Sequence, residues 1–145
     1  MDTKFKWLTL NVLLPTLPLI LRGILKIFMG HFDCDTINSA ELFFILGLIS
    51  LLISQDLRLR KVPLDNLDKR KERNDRATTF LVLFIIFVFF SAGSELFHIM
   101  VIIEGDTTHL VAYRVMSFLA YFLAFILIKY SCRTQKEFNL TSKFI

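Results

Sequence analysis

Residues 79–103, TFLVLFIIFVFFSAGSELFHIMVII, decide the fold. The segment opens with an almost unbroken run of Phe, Leu, Val and Ile. As a helix rising ~1.5 Å per residue it is long enough to cross the ~30 Å hydrocarbon core of a bilayer. A helix on the surface of a soluble domain would interrupt such a run with a polar face. The segment therefore reads as a membrane span, and its character changes only at Ser91, Ala92, Gly93, Ser94 and Glu95, where small and ionisable residues enter.

Working outward, three further apolar segments cover residues 7–29, 40–59 and 110–130. Over the whole chain 54% of residues are hydrophobic and the charges are gathered into short stretches, which is a membrane composition. The polar connection between the second and third segments is too short to bury a core of its own. The expected fold is an all-α integral membrane four-helix bundle, a single transmembrane domain with both termini in the cytoplasm.

The first segment is the unusual one. Lys4 and Lys6 followed by an apolar stretch resemble a secretory signal, but the stretch runs into Arg22, Lys26 and Phe28 where a signal would carry a small-residue cleavage site, so it is expected to stay as a helix. Pro15 and Pro18 remove backbone donors and free the carbonyls of Asn11 and Leu14, which predicts a kinked helix packed against its neighbours. An interfacial or re-entrant segment is the alternative. The second helix opens at Asn38, which can cap it, with Glu41 placed to reach back as in a capping box. Gly47, Ser50 and Ser54 on the second helix, and Ser117, Ala120 and Ala124 on the fourth, form small-residue strips that let membrane helices approach closely.

Orientation follows from the basic residues. The connection over residues 56–78 carries Arg58, Arg60, Lys61, Lys69, Arg70, Lys71, Arg73 and Arg76, while the turns at 30–39 and 104–109 contain no Lys or Arg. The positive-inside rule places that connection in the cytoplasm. The lysines and arginine at the two ends of the chain then lie inside as well, with Arg22 and Lys26 dissenting. After Pro63, residues 67–76 are expected to form a short polar helix. The connection suits anionic lipid or a soluble cytoplasmic protein, or it serves only to set topology. It has no interleaved aromatics, so direct nucleic-acid binding by stacking is not expected.

Counted from the outer ends of the helices, Arg22 lies ~10 Å deep, Glu95 ~12 Å, His98 ~8 Å and Arg114 ~6 Å. Four ionisable residues thus share the outer half of the membrane, where a lone charge is costly. Glu95 and His98 are three apart and project from one helix face. A buried polar network of Arg22, Glu95, His98 and Arg114 is expected to bind three helices together. It either lines a cavity, pore or switch, or only holds the helices.

Metal and enzyme chemistry find little support. His31, Asp33, Cys34, Asp35, Asp106 and His109 lack ligand spacing, so no metal and no cofactor is expected. Cys34 and Cys132 fall on opposite sides of the membrane in this topology and would not pair with each other. There is no glycine-rich phosphate loop, GxSxG or HExxH, and no nucleophile accompanies Glu95 and His98.

The chain is similar in size to the small four-helix multidrug transporters, whose first helix carries the coupling carboxylate. Here that helix carries Arg22 and Lys26, and Glu95 lies in the third, so their activity is not transferred. In general layout, with four spans, short outer turns and a basic inner connection, the chain resembles the small four-span membrane subunits of bacterial anti-phage defence systems, the Kiwa membrane component among them. That resemblance implies an oligomeric membrane sensor, expected as a homo-oligomer, acting with a soluble cytoplasmic partner, and the compact chain with its short turns fits a bacterial inner membrane. The competing expectations are an oligomeric pore or membrane-disrupting effector with Glu95 and His98 on its axis, and then a proton-coupled transporter.

Overall fold

The computed structural model describes residues 3–30, 38–59, 67–105 and 107–140. Its elements are α1 (Thr3–Leu8), a π turn (Thr9–Leu13), α2 (Leu14–Phe28), α3 (Ser39–Leu59), α4 (Leu67–Glu104) and α5 (Thr107–Phe138). Four helical segments are long and apolar enough to cross a membrane: Phe5–Phe28, Ser39–Leu59, Leu67–Ile103 and His109–Phe138. The described residues thus form an all-helical fold whose four long apolar helices suit a multi-pass membrane protein.

Proline shapes the first span. Pro15 has no N–H for the Asn11 carbonyl, and its ring would crowd that carbonyl in a regular α-helix. The chain responds with the π turn immediately before it, where the Leu14 N–H reaches back to the Thr9 carbonyl. Asn11 is buried in that turn, and its Nδ2 donates to the Trp7 carbonyl at 3.1 Å. A single helical path therefore continues through α1, the π turn and α2.

Among the spans, α3 is central. It packs most extensively on α4 and also meets α5 and the first span. The reason lies in its small residues: Gly47, Ser50 and Ser54 are all buried. A Cβ added at Gly47 would sit 3.4 Å from the Phe84 ring and 3.5 Å from the Phe87 Cβ. Ser50 folds its hydroxyl onto the Leu46 carbonyl at 2.9 Å, and Ser54 donates to the Ala77 carbonyl of α4 at 2.7 Å. Phe43 fills the layer above, stacking on Phe87 and Phe90 at 6.4 and 5.4 Å. Ala120 of α5 is fully buried against this core.

Helix ends follow their sequences. Gly30 and Gly105 adopt φ of +70° and +63°, the left-handed conformation that stops a helix, with the Gly105 N–H on the Val101 carbonyl at 3.1 Å. They mark one end of the bundle, called here the Gly105 end. At the opposite, Arg76 end, α5 stops at Asn139, with φ 48°, and the Leu140 N–H returns to the Gln135 carbonyl at 3.2 Å.

The separate short helix expected over residues 67–76 does not exist. α4 runs unbroken for 38 residues, ~57 Å, nearly twice the hydrocarbon thickness. No proline or glycine interrupts the sequence between Leu67 and Ala92, and extending a helix costs far less than starting a second one. α5 likewise continues past residue 130 to Phe138. Both helices therefore project beyond the apolar layer at the Arg76 end.

Candidate functional site

At the Gly105 end, polar side chains from α2, α3, α4 and α5 converge. Asn38 is the junction. Its Oδ1 accepts the Ala40 N–H at 2.9 Å, which caps α3, and it lies 3.5 Å from the Tyr113 hydroxyl, the outer limit for a hydrogen bond. Its Nδ2 donates to Glu95 Oε2 at 3.2 Å. Beneath this junction the buried Ser39 and Ser94 hydroxyls share a hydrogen bond, and Ser91 donates to the Ala40 carbonyl at 2.7 Å. His98 stacks on the buried Tyr113 ring at 5.1 Å.

Arg22 does not pair with Glu95. Its guanidinium forms an ion pair with Glu41, the residue expected to reach back as a capping box. Among the described residues Asn38 caps α3, and Glu41 meets a full charge from the first span, which a carboxylate favours over a neutral amide. Arg114 is exposed and joins neither group among the described residues. It follows Tyr113 by one position, ~100° around the helix, and so leaves the contact face. The four residues expected as one network thus divide three ways: Arg22 with Glu41, Glu95 and His98 linked through Asn38 and Tyr113, and Arg114 apart. Asn38, Glu41 and Tyr113 are the members that sequence reasoning missed. The capping position of Asn38 was the available signal.

Arg22, Glu41 and Glu95 nevertheless share one feature, a groove of ≈ 670 Å³ between the first span, α3 and α4. The first span contributes Pro15, Pro18, Leu19 and Arg22, and α3 contributes Ala40, Glu41, Phe44, Ile45 and Leu48. From α4 come Val88, Ser91, Ala92 and Glu95. On all three helices the charged residue lies toward the Gly105 end, and the apolar residues other than Ala40 lie deeper. The result is an apolar slot with a charged mouth.

A second polar assembly sits at the Arg76 end. Arg76, whose side chain is only 16% exposed, pairs with Glu137 and with Glu72 at 3.1 Å, reaches Thr134 at 3.3 Å, and lies over the Tyr130 and Phe138 rings. Arg133 closes on Glu137 at 2.8 Å. The Glu137 carboxyl, beyond the apolar part of α5, is held below its usual range, first by the Arg133 hydrogen bond and then, against some desolvation, by the nearby Arg76 charge. Arg76 is thus a clamp between α4 and α5. Arg58, Lys69 and Lys71 are exposed and Arg70 and Arg73 half-exposed, with Arg73 also bonded to Asn74 at 2.9 Å.

Arg60 and Lys61 lie outside the described residues, as do His31, Asp33, Cys34, Asp35 and Asp106. His109 faces the Phe97 ring at 6.5 Å. No family model matches this chain, and no curated protein or solved structure matches it either.

Proposed function

We propose that this membrane protein works without catalysis, as a homo-oligomeric sensor or anchor in a bacterial inner membrane that signals to a soluble cytoplasmic partner, with anti-phage defence as its setting. The observation that carries the reading is the continuity of α4 from Leu67 to Glu104. One helix supplies Glu95 to the groove at the Gly105 end and Lys69, Lys71 and Arg73 to the surface that projects at the other. Packed helices shift as rigid bodies, so an event at the groove displaces the basic surface. Arg76 and Glu137 fix that surface to α5, which presents a defined face to a partner or to anionic lipid.

Purification from the native host after mild solubilisation tests this. A cytoplasmic protein should accompany the wild-type chain and be reduced roughly tenfold or more by the Lys69→Glu/Lys71→Glu variant, as for loss of charged interface contacts. Recovery of no cytoplasmic protein, or equal recovery with the variant, contradicts the proposal.

The exposure of Glu95 favours a second reading, an oligomeric pore with this carboxylate on its axis. That reading requires bilayer conductance that disappears in Glu95→Gln.

A further inference from the structure

The groove beside the first span has a property that helix packing alone does not explain. Its deep walls are Pro18, Leu19, Ile45, Leu48 and Val88, and nothing there offers water the two to four polar partners it needs. Left empty, the slot would forfeit the dispersion contacts that its lining makes when filled. Inside a bilayer the material at hand is hydrocarbon, so the slot suits an acyl chain.

The mouth carries information about the head group. Pro15, Pro18, Leu19 and Arg22 follow one another at helical spacing along a single stripe, and the half-exposed Lys26 continues it one turn further out. Arg22 therefore stands on the rim, and Lys26 lies beyond the lining residues, one turn further along the same stripe. Arg22 gives Glu41 one arm of its guanidinium, and the fork has further N–H donors for an anionic oxygen. On the opposite rim Glu95 receives Asn38 on Oε2, and among the described residues nothing donates to its Oε1. One wall thus favours a phosphate and the other an ammonium.

We propose that the groove is a lipid site for an aminophospholipid of the phosphatidylethanolamine type: one acyl chain in the slot, its phosphate on Arg22 and Lys26, and its ammonium on Glu95. A phosphatidylglycerol head would satisfy the cations and leave Glu95 without a counter-charge. A choline head has no N–H to donate to Oε1. The groove is the same one that the partner-recruitment reading uses as its sensing end, but the lipid site is tested separately, because its readout involves no cytoplasmic protein.

The test places the full chain in nanodiscs of equimolar phosphatidylethanolamine, phosphatidylcholine and phosphatidylglycerol, re-extracts it in mild detergent, and counts retained lipid by native mass spectrometry. One phosphatidylethanolamine per chain is expected, enriched over the other two by roughly two- to fivefold, the range for a partly exposed ion pair. Glu95→Gln should bring the three lipids to near parity. Leu48→Trp fills the slot without altering a charge and should abolish retention of all three while the helical circular dichroism is unchanged. Equal retention of the three lipids by the wild-type chain, or unchanged enrichment in both variants, would overturn the proposal. So would a spontaneous Leu48→Cys cross-link between two copies, since it would show that a second chain fills the groove.

Discussion

Trp7 donates its indole N–H to Asp56 Oδ2 at 2.8 Å, joining residues 49 positions apart. Asn11 adds a second donor to the same oxygen at 3.2 Å. The first span, which exposes most of its apolar surface, is thus held at the Arg76 end by a fully buried indole and a carboxylate. Trp7→Phe keeps an aromatic ring but removes the donor together with part of the buried indole. Hydrogen bonds to a charged group contribute ~1.5–3 kcal/mol, and with the cavity left by the smaller ring the variant should lose at least that much stability when unfolded by dodecyl sulfate titration. An unchanged midpoint would show that the contact does not hold the span.

Arg22 and Glu41 hold the same span at the Gly105 end. Either single substitution, Arg22→Leu or Glu41→Leu, leaves one charge without its partner at membrane depth. The double variant removes both charges and should recover most of the stability lost by the singles. A thermodynamic cycle should give a coupling of ~0.5–3 kcal/mol. Additive losses would mean that the two side chains act independently.

The Arg76–Glu137 clamp carries a pH dependence whose sign is fixed. The Glu137 carboxyl sits below the ordinary value of 4.5 because Arg133 and Arg76 favour its charged form. A depressed folded-state pKa contributes stability above the unfolded value, and the contribution is lost as pH falls through the folded one. A spin label at the exposed Lys136 should therefore stay immobile near neutrality and gain mobility only as pH falls below 4.5. Glu137→Gln should make the label mobile at neutral pH as well, and an immobile label in that variant would remove the clamp from the account.

Close approach of α3 and α4 depends on Gly47. The nearest atoms to an added Cβ, at 3.4 and 3.5 Å, are at ordinary contact distance, so Gly47→Ala should fold with little change. Gly47→Leu brings three more carbons against Phe84 and Phe87 and should cost ~1–3 kcal/mol by overpacking. Unfolding titrations of the two variants separate these outcomes.

The spans were legible in the sequence because each is a long apolar run, a one-dimensional signal. The strips at Gly47, Ser50 and Ser54 and at Ala120 were legible for a related reason: small residues at helical spacing mark where backbones meet. Pairing among polar residues was not legible. Depth alone set Arg22 beside Glu95, but contact also depends on rotation about each helix axis, and rotation gives Arg22 to Glu41 and turns Arg114 away. Arg76 looked like one more member of a basic run, since its partners Thr134 and Glu137 lie far off in sequence. The length of α4 was hidden by its change from charged to apolar near Ala77, which resembles a boundary between two elements but lies inside one helix.

Coupling between the groove and the basic surface requires α4 to behave as one strut. The direct measurement is the distance between spin labels at Lys71→Cys and Phe89→Cys, both exposed positions, in lipid nanodiscs with Cys34 and Cys132 replaced by serine. An unbroken helix gives a backbone separation of ~27 Å at ~1.5 Å per residue, and a single narrow distribution consistent with it is the expected result. A broad distribution, or one markedly shorter, would show that α4 bends between the membrane and the basic segment, and would contradict the coupling.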